Sequence, residues 1–146
     1  MNNRIHSYVV KLCKLYGTTN PFEIAKQKNI LILKENLGTI NGYYNMPLRQ
    51  KQIHLNENLN EFEMRFTCAH ELGHALLHPK ANTPFLISST CLSVDKLEIE
   101  ANSFAIEMLL PDEDLVALIH EHNNLDIISS VTGYSKELLM LKQSIH

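Results

Sequence analysis

His70-Glu71-Leu72-Gly73-His74-Ala75-Leu76-Leu77-His78-Pro79 is the stretch on which the reading of this chain turns. It ends a longer apolar pattern through Phe62, Phe66, Ala69, Leu72, Leu76 and Leu77, which has helical spacing. Asn58 with Glu61 is expected to open that helix as a capping-box-like pair, and Pro79 to stop it. Apolar residues lie nearly all round, so the helix is expected to be central and buried. On it, His70 and His74 are separated by about 40° and one turn, so both imidazoles can reach one ion. Glu71 lies about 100° from His70 and about 60° from His74, beside such an ion but not on it. Two His and a Glu on an otherwise apolar helix are costly to bury without partners, which favours a metal centre over a decorated surface. Zinc takes imidazole nitrogen, and a catalytic zinc site has three protein ligands plus a water. Glu71 then stands where a general base would take that water's proton. Gly73 inside the helix costs about 1 kcal/mol relative to Ala, which points to a close approach of backbone or ligand there.

The third ligand has to come from elsewhere. His78 is about 12 Å along the helix from His70, too far to share an ion. Lys80 stands where the extended three-His form of the motif would put its last His. Leu97-Glu98-Ile99-Glu100-Ala101-Asn102-Ser103-Phe104-Ala105 offers two carboxylates, about 200° apart on a helix, so only one can face the ion. Glu98 shares its face with Ala101, Asn102, Ala105 and Leu109, and the small residues would let this helix press on the first. Glu100 shares its face with Ser103, Glu107 and Asp114, which reads as solvated. Glu98 is therefore the expected ligand, with Glu100 the alternative. Asn102 is expected to hydrogen-bond a ligand from outside.

Around this centre the chain reads as α+β. Ile5, Tyr8, Val9, Leu12, Leu15 and Tyr16 mark a first helix ending at Gly17, and Asn20-Pro21 opens a second to about Lys28. Three short strands follow, at residues 30–33, 38–44 and 52–55, the last expected to be half-buried. Consecutive short strands imply a small three-stranded antiparallel sheet packed on the active-site helix. Residues 80–92 read as a loop. A helix from about Asp95 to Pro111 follows, then one over Asp112–His122, then two short ones over Leu125–Ile145 split at Gly133, with Ser135 as a cap. No repeat or linker interrupts residues 1–146, so one domain is expected.

Composition narrows the function classes. The net charge is −3, with no run of Lys and Arg, which argues against direct nucleic-acid binding. The C-terminal helices around Gly133 have only Lys136 and Lys142 as fixed positive charges and are expected to pack on the core. Three cysteines, Cys13, Cys68 and Cys91, form no framework and no Cys-x-x-Cys pair. With no apolar leader at Met1 and no membrane-length run, a cytoplasmic protein is expected. His54 is read as structural, His78 as a donor to helix-end carbonyls, Tyr43 and Tyr44 as sheet packing, Cys68 as a packed small hydrophobe, and His120 and His122 as solvated.

The paired motifs, His70 to Pro79 and then Glu98-x-Glu100-Ala101-Asn102-x-Phe104-Ala105 with Leu109-Leu110-Pro111, resemble the ImmA/IrrE family of metallo-endopeptidases. Asn41-Gly42-Tyr43-Tyr44 and Ile53-His54-Leu55-Asn56 are similar to that family as well, and the resemblance spans roughly residues 20–115. It implies a gluzincin-like fold, with His70, His74 and Glu98 on one Zn2+ ion and Glu71 as base. It also implies a protein substrate, a helix-turn-helix repressor of a phage or mobile element. The alternative from another class is a non-catalytic, zinc-bound interaction module that modulates a transcription regulator. An intact Glu71 argues against it, since a binding module needs no general base.

Overall fold

The structure is a computed structural model and describes residues 3–83 and 92–142. Helix α1 (Asn3–Tyr16) buries Ile5, Val9 and Leu12 along one stripe and ends at Gly17, whose φ of +67° suits a residue without Cβ. Leu15, expected in the stripe, is 74% exposed. Helix α2 (Pro21–Gln27) is capped as its sequence implies: Phe22 N donates to Asn20 Oδ1 at 2.9 Å, and Pro21 takes the first turn.

The strands are β1 (Leu31–Glu35), β2 (Gly42–Asn45) and β3 (Gln52–Asn56), in the order β1-β3-β2. The α+β class and the three-stranded sheet hold, but the sheet is mixed. β2 pairs with β3 antiparallel, whereas β1 pairs with β3 parallel. The expected all-antiparallel sheet fails because β3 inserts between the other two. Its Ile53, His54, Leu55 and Asn56 are all buried, so it is covered on both faces and not half-buried. Its polar residues are matched by partners. His54 Nδ1 meets Glu35 Oε1, His54 Nε2 lies 3.0 Å from Asn45 Oδ1, and Asn56 Nδ2 donates to Gly38 O and Ile40 O.

Helix α3 (Glu61–Leu77) starts two residues later than Asn58 would place it. Asn60 Oδ1 accepts from Glu63 N at 2.8 Å, and Asn60 N donates to Glu63 Oε1 at 3.1 Å, a complete capping box. Burial is confined to its second half, Thr67–Ala75, while Glu61, Phe62, Glu63 and Arg65 are exposed. Helix α4 (Leu92–Leu109) starts at Leu92 rather than near Asp95 and packs along α3, with Ala101, Phe104 and Ala105 fully buried. A Cβ on Gly73 would come within 3.1 Å of Phe104, so Gly73 is where the two helices approach most tightly.

Helices α5 (Asp112–His122), α6 (Leu125–Thr132) and α7 (Lys136–Leu139) follow the expected pattern, with Asn124 and Ser135 as caps and Gly133 at φ +85°. Two apolar clusters result. One joins α1, α2, the sheet and α3; the other gathers Ile106, Leu115, Ile128 and Leu139, so the C-terminal helices do pack inward. Cys91, the 84–91 part of the expected loop, and the end of the C-terminal helix beyond Lys142 lie outside the described residues. Among the described residues, no helix is long and apolar enough to cross a membrane.

Candidate metal centre

Helices α3 and α4 bring His70, His74 and Glu98 together. Their ligand-type atoms lie within 4.8 Å of one another. His70 Nε2 is 3.0 Å from Glu98 Oε2, and His74 Nε2 is 2.7 Å from Glu98 Oε1. The one-turn spacing on α3 sets the two imidazoles side by side, and the small Ala101 and Ala105 let α4 carry Glu98 to them. Glu71 stands outside this triad, its Oε2 4.0 Å from His70 Nε2.

The donor set suits a divalent cation. His70 Nδ1 is 2.8 Å from Asn102 Oδ1, which can only accept, so His70 carries its proton on Nδ1 and turns a lone pair on Nε2 toward Glu98. Two imidazole nitrogens and a carboxylate around one point are an ordinary set for zinc. The same crowding shapes the proton affinities. Burial pushes Glu98 up, but the hydrogen bonds and charges of His70 and His74 outweigh it and hold the carboxyl well below its usual range. Burial lowers His74, and Glu98 only partly offsets it. Burial also acts to lower His70, but Glu98, Glu71 and Asn102 together leave it raised.

Glu71 has a different environment. It is 5% exposed, and its Oε1 is buried without a hydrogen-bond partner among the described residues. Burial raises its pKa to about 7, with Glu98 adding to the rise and His70 and the Thr83 hydroxyl pulling the other way. A cleft of about 460 Å³ opens over it, lined by Ile40, Gly42, Phe66, His70, Glu98 and Asn102 among others.

Other expected roles are revised. His78 does not use its ring on helix-end carbonyls; its backbone N caps His74 O, while its ring lies between His74 and Glu100. Glu100 therefore faces α3 and is not solvated, and its helix neighbours Ser103 and Glu107 are buried. Glu107 receives Lys142 Nζ at 2.6 Å. Tyr43 stacks on His54 at 4.2 Å and Tyr44 donates to Pro79 O at 2.6 Å, so both serve packing as expected. Cys68 is fully buried, and burial pushes its thiol up to about 12. Thr83 was not singled out by the sequence. It takes Tyr44 N and donates to Tyr44 O, covering that part of the β2 edge. No motif marks it, since only the fold returns the chain after α3 to β2.

A mixed sheet under a helix that carries His-Glu-x-x-His, with a glutamate delivered from the next long helix, defines a metallopeptidase class of site. Residues 25–142 match the IrrE N-terminal-like domain family of peptidases. The chain is 47% identical over 139 residues to the uncharacterized immunity region protein 2 of Bacillus phage phi105, covering 94% of this chain and 88% of that protein. It is 37% identical over 131 residues to metallopeptidase ImmA of Bacillus subtilis (strain 168), covering 88% of this chain and 71% of that one. The chain belongs to the ImmA/IrrE family of metallopeptidases.

Proposed function

We propose that residues 1–146 act as one zinc-dependent endopeptidase unit in the cytoplasm, with a helix-turn-helix repressor of a phage or mobile element as substrate. The observation that carries the enzymatic reading is the convergence of His70, His74 and Glu98 with Glu71 held just outside them. The repressor rests on the family resemblance and on the immunity-region name of the phage relative.

A zinc ion held by His70, His74 and Glu98 supplies a Lewis acid that polarises the scissile carbonyl and acidifies a water. Glu71 removes the proton as the water oxygen bonds to the carbonyl carbon, and returns it to the nitrogen as the C–N bond breaks. The partnerless Oε1 of Glu71 leaves an acceptor position for that proton. Burial that lifts this carboxyl toward neutrality suits a group that must both take and give. The substrate runs extended along the outer edge of β2. Thr83 covers the edge at Tyr44, so the strand pairs first at Gly42, which faces the same edge and lines the cleft.

Co-expression with a helix-turn-helix repressor encoded beside this gene tests the proposal, with native chain and Glu71→Gln compared by mass spectrometry. Repressor fragments with the native chain alone are expected. An intact repressor in both, with zinc bound to each, would turn the reading toward an interaction module.

A further inference from the structure

The ring of His78 bridges His74 and Glu100. His78 Nε2 is 2.8 Å from Glu100 Oε1, and His78 Nδ1 is 3.1 Å from His74 Nδ1. The other oxygen of Glu100 receives Arg4 at 3.3 Å. These contacts are sheltered: the His78 side chain is 9% exposed and that of Glu100 17%, so water competes poorly for them. From the ligand-site reading above, we propose that His78 and Glu100 are positioning residues that set the tautomer and orientation of His74 for metal binding.

The argument follows from donors and acceptors. A carboxylate only accepts, so Glu100 draws the His78 proton onto Nε2. The Nδ1 of a neutral His78 is then a lone pair. It needs a donor, and the only group facing it at hydrogen-bond distance among the described residues is His74 Nδ1. With its proton on Nδ1, His74 turns an unprotonated Nε2 toward Glu98 Oε1. His70 reaches the same state through Asn102. Both imidazoles thus present lone pairs to one point, and each is steadied from behind by a residue that touches no ligand atom. The spacing supports it. His74 and His78 are one helical turn apart on α3, while Glu98 and Glu100 point to different parts of α3 from the same turn of α4. Glu98 meets His70 and His74, and Glu100 reaches past them to His78.

Zinc affinity of the full chain, measured by competition with a chromogenic chelator, tests the relay without reference to activity. His78→Leu and Glu100→Ala should each weaken zinc about 10- to 100-fold. His78→Gln should stay within a few-fold of the native chain, because its amide oxygen can still accept from His74 Nδ1. The 15N spectrum of the histidines should show the Nδ1–H tautomer of His74 in the native protein and a mixed tautomer in His78→Leu. His74→Ala is the control. If it binds zinc as tightly as the native chain, the metal-site reading itself is wrong. If it loses zinc while His78→Leu and Glu100→Ala bind like the native chain, the site stands and the relay is overturned. Should His78→Leu fail to fold, the comparison of Glu100→Ala with Glu100→Gln, which keeps an acceptor for His78, decides the same question.

Discussion

His74 and Glu98 meet across the α3–α4 contact with Nε2 2.7 Å from Oε1, and this contact rather than any local motif completes the centre. Glu98→Ala should therefore cost at least the 10- to 100-fold in metal affinity associated with losing a ligand's outer partner. Equilibrium dialysis against zinc reads it directly. Unchanged affinity, or a larger loss for Glu100→Ala, would move the ligand role to Glu100.

The buried Glu71 makes the metal-free protein pH-sensitive. Its folded pKa of about 7 lies above the 4.5 of an ordinary Glu. In the unfolded chain it ionises first, so its contribution is nil below about 4.5, and stability is lost as pH rises from there through 7. Glu71→Gln removes that loss. In the presence of a chelator, the variant should melt close to the native chain at pH 4, and higher at pH 8 by up to about 3 kcal/mol of stability. A constant difference across that range would refute the assignment.

Gly73→Ala sets a helix-propensity gain of about 1 kcal/mol against crowding of the buried Phe104, whose Cβ and Cδ1 would lie 3.1 Å from the new methyl. Overpacking of a filled core costs about 1–3 kcal/mol, so a net loss of up to about 2 kcal/mol is expected in urea unfolding. Zinc affinity should fall with it, because Glu98 rides on the helix that would be pushed away. A stabilised variant would mean that Phe104 yields.

Lys142 is fully buried, its Nζ 2.6 Å from Glu107 and 2.8 Å from Asp112, with His6 beside the same carboxylates. Lys142→Ala removes the cation from between them and should cost about 3–5 kcal/mol. Adding Glu107→Gln should recover part of it. Thermal melts of the single and double variants check this, and an additive second loss would show that the ion pair is not what anchors the C-terminal segment.

What the sequence by itself determined is what nearest neighbours along the chain can set. Helical geometry alone puts His70 and His74 on one face with Glu71 to the side. Asn20-Pro21, Asn124 and Ser135 set their helix starts through bonds spanning two or three residues. Even the choice of Glu98 follows from its small-residue face. Tertiary structure decided everything that depends on what lies opposite. A helical wheel groups Glu100 with Ser103 and Glu107 but cannot say that His78, Lys142 and the neighbouring helices cover that face, so a solvated side was expected where a buried polar one stands. The alternation in β3 likewise hid its place in the middle of the sheet, because a strand covered on both faces buries polar residues once partners such as Glu35, Asn45 and the Gly38 carbonyl reach them. Those partners lie 9 to 19 residues away, and which of them arrive is settled by the joint burial of surfaces from distant parts of the chain.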